Sequence, residues 1–398
     1  MEGANANVVN RNGLIADVEA AVLERYGNAA HEVEACLCVP VSYDKRLLKL
    51  IPEEILAKDY GCGDPSRHVR PGETVLDLGS GSGKACYIIS QIVGAKGRVI
   101  GIDFNPPMLE LARKYEKSIG DQLGYHNVGF RRGKIQDLRT DLELVDQYLT
   151  ENPVHSVGDL AKLEEFENRL RREKPLIPDE SIDVIVSNCV LNLVRPEDKK
   201  QLFAEMYRVL KRGGRAVISD IVSDEPVPEH LANDPNLWSA CVSGAYQEEA
   251  FLHAFEEAKF HGIQIEELRG EAYQIVEGIE FRAVTVTAYK GKEGPCVERN
   301  HAVIYRGPWK QVVDDDGHTL ERGARMAVCD KTFKLYSQAP YDGQFVLVPP
   351  RQGVPISEAV VFDCSRDQKR HPRETKGMDY KVTKISSSVC GPDSNCCA

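Results

Sequence analysis

The chain of 398 residues has no excess of positive charge: 50 lysines and arginines stand against 61 aspartates and glutamates, a net charge of −11. Nucleic acids and anionic membranes need a basic face, so neither is expected as a partner. No apolar run approaches the roughly 20 residues of a membrane-spanning helix. Met1 to Glu19 also lacks a basic stretch followed by an apolar one, so no secretory signal is expected and the location should be cytoplasmic. The ten histidines fall at no ligand spacing, and His253 and His261 read as surface residues. The twelve cysteines form no C-x-x-C pair, which argues against a zinc knuckle. A reducing compartment also disfavours a disulfide framework. What remains is a scatter of single thiols plus two close pairs, Cys36-x-Cys38 and Cys396-Cys397. Several, such as Cys86 and Cys329, read as small buried hydrophobes.

The organisation follows from periodicity. Residues 11 to 30 carry apolar positions at helical spacing closed by Gly27, followed by the cysteine-bearing loop around Cys36 and Cys38. From residue 74, strand-like and helix-like runs alternate: strands at 74–79, 98–104, 128–134, 182–187, 215–221 and 281–289, with helices at 84–93, 107–119, 196–210 and 248–259. That alternation predicts a parallel α/β sheet covered on both faces. A charged stretch at 141–175, with Val157, Leu160, Leu163, Phe166 and Leu170 at helical spacing, reads as a helical insertion. The expected division is an N-terminal helical and cysteine-bearing segment (1–70), a nucleotide-binding α/β domain (71–292), a linker to about 299, a small β-rich domain (300–365) and a polar tail (366–398). The tail carries Cys390, Cys396 and Cys397. Within the small domain, 302–305, 345–348 and 359–362 are β-prone, and Asp314-Asp315-Asp316-Gly317 is a turn without the spaced ligands of a calcium loop.

Asp77-Leu78-Gly79-Ser80-Gly81-Ser82-Gly83 joins the first strand to the first helix. Its spacing is G-x-G-x-G and not the G-x-G-x-x-G of dinucleotide binders, which disfavours a pyrophosphate. Glycines let the backbone approach a ligand, and the helix start offers free N–H donors. Asp103 ends the second strand, where an acidic side chain accepts from ribose hydroxyls. Gln136-Asp137 follows the third strand, placed to meet an adenine edge. With Lys211-Arg212-Gly213-Gly214 further on, this order resembles the class I methyltransferases that use S-adenosylmethionine, which implies that Asp77 lies near the methionine amino group.

In such enzymes the end of the fourth strand often supplies a histidine or aspartate. Here it supplies Asn188 and Cys189 within Ser187-Asn188-Cys189-Val190-Leu191-Asn192-Leu193. Two further isolated thiols, Cys62 in Tyr60-Gly61-Cys62-Gly63 and Cys241 in Leu237-Trp238-Ser239-Ala240-Cys241, flank the same domain. Were all three to converge they would make a cup for a soft, thiophilic centre. Trivalent arsenic is one: it takes three sulfurs in a pyramid and keeps a lone pair able to attack a sulfonium methyl.

These four segments, with Cys86-Tyr87 just past the glycine turn, resemble the arsenite methyltransferases over roughly residues 10 to 290. The resemblance implies a Rossmann-like seven-stranded sheet, S-adenosylmethionine as cofactor, and arsenic(III) held by Cys62, Cys189 and Cys241, with Cys38 a further candidate ligand. It implies that Cys62 and Cys189 pair as a disulfide during turnover and that glutathione or thioredoxin restores the thiols. The cofactor set carried with it is Tyr60, Asp77, Gly79, Ser80, Gly81, Gly83, Asp103, Phe104, Met108, Gln136, Asp137 and Asn188. A monomer with a small-molecule metalloid substrate is expected. Ala240 stands where the resembling family carries glutamate. The alternatives are methylation of another nucleophile (selenium, tellurium, a thiol or a small organic molecule) and a non-catalytic, thiol-based metalloid binder.

Overall fold

Strand β1 (Thr74–Leu78) is an interior strand of the main sheet and carries apolar side chains on both faces: Val75, Leu76 and Leu78 are fully buried. It pairs in parallel with β2 (Arg98–Asp103) on one side and β4 (Ile182–Asn188) on the other. β3 (Val128–Arg132) extends the sheet beyond β2, and β5 (Leu210–Ser223) extends it beyond β4, all parallel. The computed structural model describes residues 20, 22–30, 41–58, 60–365 and 368–381. Cys36, Cys38, Cys390, Cys396 and Cys397 lie outside the described residues.

Three shorter elements follow β5: β6 (Tyr246–Gln247), β7 (His261–Leu268) and β8 (Gln274–Val276). The long β9 (Ile279–Tyr289) runs antiparallel between β5 and β7, giving the order β3-β2-β1-β4-β5-β9-β7. That path has the seven strands that the resemblance implies. β6 and β8 pair off it with β5 and β9. Alternation along the central strands divides the core into two faces. Leu76, Leu78, Ile100, Ile102, Ile185 and Ile218 pack on one, and Val75, Val99, Val184, Val186 and Val217 on the other.

Helix α1 (Lys84–Val93) and helix α2 (Pro106–Lys114) cross between the first strands. The expected helix over 107–119 breaks at Tyr115 and resumes at Glu116. The insertion is two helices, α3 (Leu142–Glu151) and α4 (Val157–Glu173). Of the apolar positions on α4 only Leu170 is buried; Val157 is 84% exposed, so the first half of this helix does not serve the core. Its last turn is tied down instead, with Arg171 donating to Thr140 and Asp137. Helix α5 (Pro196–Val209) precedes β5, which starts directly after it: the expected turn at 211–214 is absorbed as an irregularity in the strand, with Gly213 at φ +80°. His261, read as a surface residue, is buried at the start of β7. Among the described residues no helix is long and apolar enough to cross a membrane.

The chain divides into two compact units at Gly291. In the second, β10 (Ala302–Tyr305) is flanked by β13 (Arg325–Ala327) and β14 (Phe345–Val348), and β11 (Gln311–Val313) pairs with β12 (Thr319–Glu321) across the Asp314–Gly317 turn. The predicted strand at 359–362 is reduced to one bridge, Val297 to Val361, because Val360 and Val361 face solvent. Two segments expected to lie outside this unit belong to it. Residues 296–298 pair with 360–362, and the buried Arg370 joins Glu298 to Glu374.

Candidate active site

A cavity of about 1160 Å³, counting the part open to solvent, lies at the carboxyl ends of β1, β2 and β4. This is where the strand order reverses, with β2 on one side of β1 and β4 on the other, the usual ligand position of an open α/β sheet. Gly79 opens the turn after β1 at φ +73°, and a Cβ there would come within 2.4 Å of Val190 Cγ1. Only glycine lets the turn lie against the loop after β4. Ser80, Gly81 and Ser82 then form the cavity wall, and Gly83 lies behind it as the residue that caps α1.

Asp77, Asp103, Phe104, Met108, Gln136 and Tyr60 also line the cavity, as do Asn188 and Cys189. The Asp103 carboxylate accepts from Gly81 N at 2.8 Å and from Asn105 N at 2.9 Å, so it braces the glycine turn as well as facing the cavity. Burial pushes its pKa up. Asp77 accepts from the Cys86 thiol at 3.2 Å, which gives that buried cysteine a polar partner beyond the packing role expected of it. The Ser80 hydroxyl is buried with no partner among the described residues, an acceptor and donor left for a ligand. Asp137 departs from expectation: it is not part of the lining, because its carboxylate is held by Thr140 at 2.7 Å and Arg171 at 3.2 Å.

The structure brings the three cysteines together. Cys62, Cys189 and Cys241 share one buried cluster with Ile221, Phe281 and Val242. Cys62 and Cys189 are bonded as a disulfide with Cα atoms 6.0 Å apart. The Cys241 thiol donates to Cys189 O at 3.2 Å, and the Tyr26 hydroxyl lies 3.8 Å from its sulfur. Of the three, Cys189 alone also lines the cavity. Cys189 and Cys241 have φ values of +57° and +63°. Each such position costs a non-glycine residue on the order of 1–3 kcal/mol, a strain that clusters at functional sites.

Two asparagines of the β4 segment gather the other two thiols around Cys189. Asn188 Oδ1 accepts from Cys62 N at 2.8 Å and from Gly63 N at 3.1 Å, while its Nδ2 donates to Gly63 O at 2.8 Å. The approach is so close that a Cβ on Gly61 would fall 2.3 Å from Asn188 Nδ2. Asn192 Nδ2 donates to Cys241 O at 3.1 Å and Ile221 O at 2.7 Å, fixing the turn after α6 (Pro235–Ser239) to β5. Asn188, expected from the sequence as a cofactor residue, thus both lines the cavity and clasps the Cys62 loop. Asn192 was not singled out, although its place three residues after Cys189 in a buried segment is the one signal it leaves.

Asp220 and Lys199 were also missed, though an aspartate inside the apolar run Ala216-Val217-Ile218-Ser219-Asp220-Ile221-Val222 is conspicuous. Asp220 is 1% exposed, accepts from Leu191 N and Ile221 N, and burial lifts its pKa to about 6. Burial, with the Asp220 charge adding to it, pushes the Cys241 thiol up to about 12, so the free thiol is neutral. Lys199 is buried, donates to Gly244 O and lies 4.3 Å over the Tyr246 ring; burial lowers its pKa to about 8. Trp238 is buried beside Val22, with its indole N–H donated to Leu193 O. Val22 and Leu193 line the cavity, as do Tyr26 and Lys58.

A glycine turn after β1, an acidic residue ending β2 and this strand order define a class I S-adenosylmethionine-dependent methyltransferase. Residues 70–177 and 171–259 match the family described as a methyltransferase domain, and residues 292–380 match a domain of unknown function, DUF8838. The arsenite methyltransferase of Aquipseudomonas alcaligenes is 32% identical over 76% of this chain and 81% of that protein. That of Rattus norvegicus is 32% identical over 96% and 98%. A crystal structure of an arsenic(III) S-adenosylmethionine methyltransferase from Chlamydomonas reinhardtii is similar with a TM-score of 0.53 and 25% identity, covering 84% of this chain and all of that one. The chain belongs to the arsenite methyltransferase family.

Proposed function

We propose that the chain methylates trivalent arsenic held by Cys62, Cys189 and Cys241, using S-adenosylmethionine, and thereby detoxifies it to methylated arsenicals. The observation that carries this reading is the convergence of three sequence-distant cysteines in one buried cluster, with Cys189 shared between that cluster and the cavity. The cavity residues suit the cofactor: the Ser80 hydroxyl, without a partner among the described residues, and the Asp103 carboxylate offer polar partners at the turn, where a Cβ on Gly81 would meet nothing within 4 Å. Asp103 would hold the ribose, Gln136 the adenine edge and Asp77 the amino group, with Tyr60, Phe104 and Met108 supplying apolar wall. Asp137, tied to Thr140 and Arg171, would brace the loop that presents Gln136. When bound, S-adenosylmethionine supplies an electrophilic methyl group.

The residues' own work is to grip, orient and keep dry. Arsenic(III) carries its own lone pair, so no general base is needed, and the high pKa of Cys241 is no obstacle. Protons from the thiols leave with the displaced hydroxyl or thiol ligands of arsenic. Orientation of a bound nucleophile against its electrophile can supply roughly 7–11 kcal/mol of the barrier. Each transfer raises arsenic formally from trivalent to pentavalent. Two electrons from Cys62 and Cys189 return it, and the disulfide between them is the oxidised product of that step. Thioredoxin or glutathione then supplies two electrons and two protons to reopen the cup. The protein is read as a cytoplasmic monomer acting on a small metalloid.

The test is a substrate panel with a tritiated methyl donor. Label entering arsenite but not selenite, tellurite, small thiols or carbon acids is expected; label entering any of the others in preference overturns the reading.

A further inference from the structure

The second compact unit holds another group of thiols. Cys296, Cys329 and Cys364 are distant in sequence, yet their sulfur atoms all lie within 4.8 Å of one another, and all three are free cysteines. Backbone pairing puts them there. Phe362 N donates to Cys296 O at 2.9 Å beside the Val297–Val361 bridge, which lays the segment before Cys364 along that of Cys296. Asp330 N donates to Val297 O at 3.0 Å, which brings in Cys329. A ring nitrogen of His318 lies 2.9 Å from Cys364 O, and its other ring nitrogen is engaged by Asp314. Cys329 is 1% exposed and caps α7 (Asp330–Leu335), its sulfur accepting from Thr332 N at 3.4 Å. Cys296 and Cys364 are partly exposed, so the group is buried at its base and open at its rim.

We propose that Cys296, Cys329 and Cys364 form a second, non-catalytic binding site for a trivalent thiophilic metalloid, arsenite. The donor set selects the ligand. Three sulfurs this close are soft donors. Structural zinc takes four ligands in a tetrahedron, and no fourth cysteine, histidine or carboxylate joins the group among the described residues. Arsenic(III) needs three and keeps its lone pair in the fourth direction. Binding is a condensation: three S–H bonds and three As–O bonds break, three As–S bonds form, and three waters leave. No oxidant or reductant enters. The site does not depend on the methylation reading, since it rests on its own three thiols.

The experiment uses the reduced full-length chain with arsenite and no methyl donor. Unbound arsenic is removed by gel filtration and the retained arsenic per chain is measured by plasma mass spectrometry. Cys296→Ala and Cys364→Ala, at the two partly exposed positions, should each lose one arsenic per chain with S-adenosylmethionine binding unchanged. The Cys189→Ser/Cys241→Ser double variant should keep that arsenic, and its arsenic-edge absorption should show three sulfur neighbours and no oxygen. Unchanged arsenic content in both alanine variants overturns the proposal. So does a zinc atom in the purified wild type that disappears with Cys364→Ala. A double variant that binds as much arsenic as wild type would refute the catalytic cup and leave this site standing.

Discussion

Asn188→Ala should weaken the disulfide between Cys62 and Cys189 without touching either sulfur. The side chain makes three hydrogen bonds to the Cys62 loop, at 2.8, 3.1 and 2.8 Å. At a net of about 0.5–1.5 kcal/mol each, their loss removes about 1.5–4.5 kcal/mol of the work that keeps Cys62 beside Cys189. In the wild type that ordering is in place before the sulfurs meet; in the variant it must be supplied on closing the bond. At about 30 mV per 1.4 kcal/mol, the midpoint should move about 30–100 mV toward less negative potentials. The assay equilibrates protein in glutathione buffers, alkylates free thiols and weighs the products by mass spectrometry. Gly61→Ala, whose Cβ would strike Asn188 Nδ2, should move the midpoint the same way. A midpoint within about 10 mV of wild type in both variants would refute the clasp, because even one lost hydrogen bond should move it by about 10–30 mV and three by more.

Gly79→Ala should bind S-adenosylmethionine at least about tenfold more weakly by calorimetry, because its left-handed backbone costs about 1–2 kcal/mol with a Cβ present and that Cβ meets Val190; unchanged affinity would show the turn is not the cofactor's cradle. Cys62→Ser should lose methylation of arsenite and keep most of its activity on monomethylated arsenic(III), which needs two sulfurs; equal losses would remove Cys62 from the ligand set. Asp220 is raised in the folded chain from 3.8 to about 6, so its contribution to stability is largest below the unfolded value and is lost as pH rises through about 6. Denaturant unfolding of wild type and Asp220→Asn should therefore diverge between about pH 4 and pH 7, with wild type losing up to about 3 kcal/mol relative to the variant. A difference that does not change with pH would place the Asp220 charge elsewhere.

The sheet was legible because β1, β2, β4 and the second half of β5 carry buried apolar side chains on both faces, and because the glycine turn follows β1 directly. Alternation gave a parallel sheet covered on both faces, while the seven-stranded class I arrangement came from the family resemblance, and nothing in the alternation places β9 antiparallel between β5 and β7. What the sequence did not display was long-range pairing. Nothing in the spacing of Tyr60-Gly61-Cys62-Gly63 says that its amides face Asn188, so the convergence of Cys62 with Cys189 came only from family resemblance. Asn192 and Asp220 stand out as polar residues in buried runs, but the sequence does not show what they hold: Asn192 reaches Ile221 O and Cys241 O, and Asp220 reaches Leu191 N, all far along the chain. Asp137 was placed in the cofactor site by its position after β3, yet Arg171, from the inserted helix α4, draws its carboxylate away. Cys329 passed as a small hydrophobe, since its burial is real and its two sulfur neighbours come from a segment that reads as a linker and from the segment before the tail.

The central claim is that one thiol, Cys189, links the arsenic cup to the cofactor cavity. The most direct measurement is arsenic speciation by liquid chromatography with plasma mass spectrometry, after incubation with arsenite, glutathione and S-adenosylmethionine. Wild type should yield mono- and dimethylated arsenic, and Cys189→Ser none, while still binding S-adenosylmethionine. Methylated arsenic from Cys189→Ser at the wild-type rate would contradict the claim.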